Sequence, residues 1–312
     1  MLRGLASSLR KLRENARLLW LSRTKNLRSA LRFQDFQRND ISPELFLEAF
    51  PLSTKLLSSN TRDPIILMYH GTPTSHPSSE YSIRADRFNT HLGYLKKQGW
   101  HTVLFRELHN ASALPEKTVV LTFDDGYADN YEGAFLPLAE NNMKATWFIT
   151  TDCIGKHSHW MGAPSPQTKM LTAEQLLQME KAGMEIGSHT CSHPDLTTLS
   201  YQQQRDEMTK SKQQLESIIH GKISSFAYPY GRYNADSIAA VQDTDYQLAC
   251  TVRPGWFGSE KNPLLVRRIT IFADDSASTL ARKLIFADND VSWKKMATYY
   301  YKRINDKLIG NP

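Results

Sequence analysis

From residue 64 onward, short apolar runs alternate with longer stretches whose apolar positions recur every three or four residues. The short runs predict buried strands, and the longer stretches predict helices with one inward face. The predicted strands are 65–69, 102–105, 119–123, 145–149, 184–187, 225–228, 248–251 and 265–269. The predicted helices are 85–98, 130–141, 173–181, 201–219 and 235–242.

This alternation of strands and helices implies a mainly parallel sheet and places the chain in the α/β class. About eight strands spread over roughly 210 residues favour a distorted (β/α) barrel of seven or eight strands over an open doubly wound sheet. The pattern alone does not decide whether the barrel closes.

Residues 1–63 depart from the pattern and predict a helical extension and linker ahead of a barrel that spans residues 64–312. Leucines recur at helical spacing from Leu2 to Leu12, opposite several arginines, which predicts a basic amphipathic helix within residues 1–34. Such a helix could lie on an anionic membrane surface, or it could pack on its own domain or on a partner.

The net charge is concentrated in the same extension. Residues 1–34 hold nine Lys or Arg and one acid, a net charge of +8, whereas the whole chain carries +6, so the remainder is slightly acidic. A nearly neutral domain without a nucleic-acid reading motif predicts no nucleic-acid partner. The three cysteines do not suggest a disulfide framework, and no export signal is evident, so we expect the protein in the cytoplasm, where the basic helix could hold it at the periphery of the inner membrane.

Two predicted strands end in residues that suit metal chemistry. Asp124 and Asp125 follow the strand at 119–123, and His189 and His193 follow the strand at 184–187. The carboxyl ends of barrel strands carry active sites, and two histidines four residues apart can reach one ion. Asp125 with the two histidines supplies three ligands, which is the pattern of a catalytic zinc site, although adjacent acids in a turn are often only solvated.

The two aspartates can then divide the chemistry. If Asp125 binds the metal, Asp124 is free to accept a proton from a water molecule that the metal activates. The sequence therefore predicts a metal-dependent hydrolase.

Three motifs together resemble the polysaccharide deacetylases with the NodB-homology domain: TFDDGY at 122–127, the histidines of the 189–193 loop, and FAYPYG at 226–231. The resemblance spans about residues 65–271. It implies a distorted barrel, a divalent metal that is commonly zinc, and hydrolysis of N-acetyl groups from amino sugars of the GlcNAc type in a polysaccharide or lipid-linked glycan. By motif, Asp124 is the general base, and the metal ligands are Asp125, His189 and His193.

The chain departs from the family pattern at two places. The third motif lacks the arginine that orients the base in many members, which leaves Arg232, Arg267 and Arg268 as candidates. No histidine follows His220, so the late histidine that acts as general acid in many members is also missing.

The MYH sequence at 68–70 resembles the branch of the family that deacetylates poly-N-acetylglucosamine, which implies His70 as the general acid. The resemblance also implies that the backbone N–H of Tyr230 stabilises the oxyanion. Two alternatives remain open: hydrolysis of another acyl group at the same site, and a barrel that binds glycan without turning it over.

Overall fold

Eight short parallel strands form one sheet in the part of the chain that the computed structural model describes, residues 63–77, 79–160 and 168–292. They are β1 (Ile65–Tyr69), β2 (His101–Val103), β3 (Thr118–Phe123), β4 (Thr146–Ile149), β5 (Glu185–Ser188), β6 (Ser225–Ala227), β7 (Leu248–Cys250) and β8 (Ile269–Thr270). Every predicted strand is present, and only β8 is displaced by more than two residues. Its predicted first residue, Leu265, is instead the last residue of a 3-10 turn, Pro263–Leu265.

The sheet curls round on itself. Its strands are ordered β7, β6, β5, β4, β3, β1, β8, and β2 pairs with the first half of β3. Val266, just before β8, returns to the strand at the other end of this order. Its N–H donates to the carbonyl of Ala249 at 2.9 Å, and its own carbonyl accepts from the N–H of Thr251 at 2.8 Å. The expected distorted (β/α) barrel is confirmed.

Both faces of the central strands are buried, which explains why they appear in the sequence as continuous apolar runs. In β1, Ile65, Leu67 and Tyr69 pack in the large cluster beneath the helices. The residues between them point the other way, and Ile66 joins Val120 and other side chains in a second cluster drawn from several strands. Because side chains alternate across a strand, this second cluster fills the barrel interior.

Six α-helices surround the sheet among the described residues: α1 (Ala85–Lys97), α2 (Leu136–Glu140), α3 (Ala173–Lys181), α4 (Tyr201–Ile219), α5 (Ala235–Asp243) and α6 (Ala277–Phe286). Helices α3 and α4 match their predicted bounds and begin with capping boxes at Thr172 and Ser200. None of the described helices is both long enough and apolar enough to cross a membrane.

Two helices differ from the prediction. The segment predicted as one helix at 130–141 is a π-helical turn, Tyr131–Phe135, followed by α2. Pro137 has no backbone N–H, so a regular ladder of hydrogen bonds cannot run through this segment. Helix α6 was not predicted, because its inward face carries Arg282 and Lys283, which are both buried and interrupt the apolar pattern.

The predicted extension and linker over residues 1–63, including the basic helix at 1–34, fall almost entirely outside the described residues. The division at residue 64 therefore stays a prediction.

Candidate active site

Polar side chains converge at the carboxyl ends of four strands of the sheet. Asp124 and Asp125 follow β3, His189 follows β5, His70 follows β1, and the Tyr230 turn follows β6. Because all these strands are parallel, their carboxyl ends meet at one edge of the barrel.

The structure brings Asp125, His189 and His193 together, as the sequence predicts. One carboxylate oxygen, Oδ1 of Asp125, lies 3.4 Å from Nε2 of His189 and 3.3 Å from Nε2 of His193. One ligand atom from each residue lies within 4.8 Å of the other two, and all three residues are buried. Two imidazoles and a carboxylate at this spacing suit a divalent metal such as zinc.

Burial, hydrogen bonds and neighbouring charges shift the pKa values of Asp125 and His189. Burial raises the pKa of Asp125, but hydrogen bonds with His189 and His193 outweigh it and hold the pKa well below its usual value. Burial lowers the pKa of His189, and the two neighbouring aspartates more than reverse that effect. The Asp125 carboxylate therefore stays ionised inside the protein, where a cation can compensate its charge.

The His189 ring is oriented by a backbone carbonyl. Its Nδ1 lies 2.7 Å from the carbonyl oxygen of Ala227 at the end of β6. A carbonyl only accepts, so Nδ1 carries a proton, and Nε2 is the ring nitrogen that faces Asp125 and is placed to bind a metal in exchange for its own proton.

The His193 ring is held differently, by aromatic neighbours. Trp160 stacks on it with ring centroids 4.3 Å apart and planes 17° apart, and Tyr230 meets it at 4.5 Å with planes 72° apart. Its Nδ1 is buried without a hydrogen-bond partner. Stacking therefore takes the place of the hydrogen bond that orients the other histidine.

The loop that carries both histidines has an unusual backbone. Thr190 and His193 adopt left-handed φ angles of 67° and 58°, which are unfavourable for residues with a Cβ. The Glu207 side chain, on α4, accepts the N–H groups of Cys191 and Ser192, both at 2.9 Å, and the Ser192 hydroxyl at 2.8 Å. This carboxylate therefore anchors the loop to α4.

The predicted base, Asp124, is paired with Arg268. The guanidinium donates to both carboxylate oxygens, at 2.6 and 2.7 Å, and its side chain is 0% exposed. Burial raises the pKa of Asp124, but the charge and hydrogen bonds of Arg268 outweigh it and lower the pKa. Arg268 also donates to the carbonyl of Thr251 and to the hydroxyl of Thr122.

This pair identifies which of the three candidate arginines faces Asp124. Arg267 donates to the carbonyl of Pro254, and Arg232 forms a surface salt bridge with Asp195. Only Arg268 among the three contacts the carboxylate.

His70 lies beside Asp124, because β1 pairs with β3 in a register that joins Tyr69 to Phe123. Its Nδ1 is buried without a hydrogen-bond partner, and its carbonyl accepts from Nδ2 of Asn130 at 2.8 Å. Asn130 is fully buried and accepts in turn from the indole N–H of Trp147 at 3.1 Å. The turn that presents His70 is thus tied to the core.

Tyr230 is half exposed at the opposite side of the cluster, with its ring against His193 and a left-handed φ of 57°. The site therefore contains all six predicted residues. Their catalytic roles stay predictions.

The sequence analysis missed two supporting residues, Glu207 and Asn130. Glu207 lies three positions after Gln204 on the inward face of α4, and a glutamate beside an apolar stripe was the signal that could have found it. The contacts of Asn130 join distant segments and leave no comparable pattern.

Comparison with known proteins agrees with this geometry. A family profile described as polysaccharide deacetylase matches residues 111–249. The Bacillus subtilis (strain 168) protein YxkH, named as a candidate polysaccharide deacetylase, is 34% identical over 219 residues, which cover 68% of this chain and 73% of that protein. A Staphylococcus aureus (strain MSSA476) poly-beta-1,6-N-acetyl-D-glucosamine N-deacetylase is 23% identical over 225 residues, covering 67% of this chain and 74% of that protein. The structure of the Streptococcus pyogenes deacetylase PplD in complex with acetate superposes with a TM-score of 0.63 at 29% identity, covering 71% of this chain and 98% of that one.

Proposed function

Because the chain belongs to the polysaccharide deacetylase family, we propose that it hydrolyses N-acetyl groups on GlcNAc-type residues of a glycan, with the help of a divalent metal. One observation supports this most strongly: three metal-ligand side chains meet beside a buried carboxylate that an arginine holds by both oxygens. A hydrolase needs such an arrangement, whereas a stable fold does not.

Asp125, His189 and His193 would hold the metal, and zinc suits their two nitrogens and one oxygen. When bound there, a divalent cation supplies a Lewis acid that lowers the pKa of water and polarises an amide carbonyl. The protein's own contribution is to orient the three donors and to exclude solvent from them.

Asp124 acts as the general base and accepts the proton of the attacking water. Its lowered pKa keeps the carboxylate ionised at neutral pH, and Arg268 fixes the orientation of both oxygens. The Arg268 pair also explains how the chain dispenses with an arginine in the third motif.

His70 protonates the departing amine nitrogen, and the backbone N–H of Tyr230 stabilises the oxyanion. The support for His70 is its position after β1, next to the strand that ends at Asp124, with an unpartnered Nδ1. For Tyr230, the support is a turn that follows β6 and lies against the His193 ring.

The decisive experiment is an acetate-release screen over N-acetylated glycans with zinc-loaded protein, supported by measurement of bound metal. Replacing Asp124 by Asn should lower turnover by about 10²- to 10⁴-fold, and His70→Ala should lower it by a similar factor, because each removes a proton-transfer group. His109→Ala, at an exposed position, serves as the control for loss of a histidine.

Three outcomes would contradict parts of this proposal. Undiminished turnover in metal-loaded His70→Ala would remove His70 from the mechanism. Tight glycan binding without any acetate release would favour a binding barrel, and release of a different acyl group would keep the site and change the substrate.

We also propose that the predicted basic helix within residues 1–34 attaches a cytoplasmic enzyme to the inner face of the membrane, where it would meet a lipid-linked glycan. The net charge of +8 in this segment supports attraction to anionic lipids. Deleting residues 1–34 should abolish sedimentation with phosphatidylserine-containing vesicles. Unchanged sedimentation and membrane fractionation would refute the attachment.

A further inference from the structure

Exposed large hydrophobic side chains are few in the described part of the chain, and two of them flank the active site. Tyr81 is 41% exposed, Tyr230 is 50% exposed, and the third, Leu136, is 40% exposed on helix α2. A single exposed tyrosine needs no explanation. Two tyrosines on either side of one catalytic centre do suggest a shared purpose.

Tyr81 lies next to the predicted acid. Its ring centroid is 5.4 Å from that of His70 and 5.9 Å from that of Phe272, with interplanar angles of 41° and 37°. These two neighbours support one side of the ring, and the remainder faces solvent above the His70 side of the site.

The backbone around Tyr81 is anchored on both sides. The N–H of Ile83 donates to the carbonyl of Gly71 at 3.0 Å, and the carbonyl of Glu80 accepts from the N–H of Ala273 at 2.7 Å. Ile83 is completely buried. The ring is therefore presented by a fixed turn, so little conformational entropy is lost when a ligand covers it.

Tyr230 occupies the opposite side. Its ring meets His193 edge to face at 4.5 Å. The following residue, Gly231, has a φ of 66°, and a Cβ there would lie 2.4 Å from a side-chain carbon of Val252. This close approach fixes the turn that presents the Tyr230 ring.

A row of neighbouring residues leads from one tyrosine to the other. Tyr81 lies beside His70, and His70 follows the strand adjacent to the one that ends at Asp124. Oδ1 of Asp125, the next residue, lies 3.3 Å from Nε2 of His193, and the His193 ring packs against the ring of Tyr230. The two exposed rings are thus the outer members of one row that has the metal ligands at its centre.

We propose that Tyr81 and Tyr230 are aromatic platforms for the sugar rings that neighbour the reacting residue in a glycan chain. This inference rests on the proposed deacetylase function and specifies its substrate as a residue within a chain of amino sugars, rather than a free monosaccharide. The face of a pyranose ring presents C–H groups with slight positive charge, which match the electron-rich face of a tyrosine ring.

The test measures kcat/KM for acetate release from GlcNAc oligosaccharides of two to six residues, in both β-1,4- and β-1,6-linked series. We expect wild-type kcat/KM to rise with chain length. Tyr81→Ala should reduce the ratio between the longest and shortest substrates by about five- to tenfold, because one stacking contact is lost. Tyr81→Phe keeps the ring and should preserve the ratio.

Leu136→Ala is the matched control. Leu136 is as exposed as Tyr81, but it lies beyond the π-helical turn, in the outer helical layer. Its removal should leave the length dependence unchanged. A wild-type enzyme indifferent to chain length, or a Tyr81→Ala variant with the wild-type length dependence, would overturn the inference.

A binding measurement separates this inference from the proposed activity. Asp124→Asn protein, with and without Tyr81→Ala, is titrated calorimetrically with the hexasaccharides. If no glycan releases acetate while Tyr81→Ala still weakens hexasaccharide binding, the activity fails and the platform stands. If acetate is released and Tyr81→Ala changes neither binding nor length dependence, the platform fails and the activity stands. Absence of both binding and release refutes both.

Discussion

Removing one partner of the pair between Arg268 and Asp124 should lower the free energy of unfolding by an amount that is measurable apart from catalysis. Replacing Arg268 by Met removes a completely buried guanidinium that donates to both carboxylate oxygens, at 2.6 and 2.7 Å. It also leaves the carbonyl of Thr251 without its donor. Breaking one side of a buried ion pair costs about 3–5 kcal/mol, because the remaining charge has no partner.

A double-mutant cycle tests this reasoning. Unfolding in urea is followed for Arg268→Met, Asp124→Asn and the double variant. Arg268→Met alone should lose about 3–5 kcal/mol, and the loss should be much smaller in the Asp124→Asn background, where no charge is stranded. Arg268→Lys keeps the charge but not the planar fork, so its loss should be intermediate.

A surface pair in the same molecule provides the control. Arg232 bonds Asp195, but its side chain is 65% exposed, so Arg232→Met should cost at most about 1 kcal/mol. The reasoning is wrong if Arg268→Met costs no more than Arg232→Met, or if the effects of Arg268→Met and Asp124→Asn simply add.

Three further predictions follow from the same structure. Burial raises the pKa of Asp129 to about 6, so the folded state favours its protonated form, and the associated stability is lost as the pH rises through that value. Asp129→Asn should therefore raise the melting temperature relative to wild type at pH 8, with a difference that shrinks toward pH 4. A constant difference across this range would contradict the assignment. Glu207→Gln should weaken zinc binding about 10-fold or more in a chelator competition, because the histidine loop loses its anchor, whereas the neighbouring Asp206→Asn should not. Equal affinities in the two variants would argue against the anchor. Saturating zinc should raise the melting temperature of the wild type and not of His189→Ala, since only a folded site binds the metal. The same rise in His189→Ala would place the binding elsewhere.

Much of the fold could be predicted from the sequence, because several elements carry their own boundary signals. Helix α3 begins at a Thr172 capping box and helix α4 at a Ser200 box, and both match their predicted bounds. Strand β1 is an apolar run between polar residues, and it also matches. Such elements are determined locally, so no long-range contact was needed to find them.

Other features depend on contacts between distant segments. Helix α6 was missed because Lys283 is buried, where it pairs with Asp275 and donates to the carbonyl of Thr270. Only the packed structure explains a lysine on an inward face. The sequence also could not show whether Arg267 or Arg268 faces Asp124. Adjacent residues in an extended segment point to opposite sides, so a shift of one residue in register exchanges them.

The loop at residues 189–193 illustrates why the sequence could locate the candidate site but not the residues that hold it in position. A His-x-x-x-His spacing on a regular helix would bring both rings to one ion without further help. Here the loop instead adopts left-handed φ angles at Thr190 and His193, which persist only if the surroundings enforce them.

Two sets of contacts meet that requirement from opposite sides of the loop. The Glu207 carboxylate accepts three hydrogen bonds from Cys191 and Ser192, and the segment after β4 donates the N–H groups of Thr151 and Asp152 to the carbonyls of Thr190 and Cys191. The candidate ligands can therefore be predicted from their spacing, but their geometry is set by a glutamate on α4 and by backbone from the segment after β4. A substitution of Glu207, or a change in the segment after β4, should therefore weaken metal binding although it alters no candidate ligand. Such variants would distinguish the candidate ligands from the residues that hold them in position.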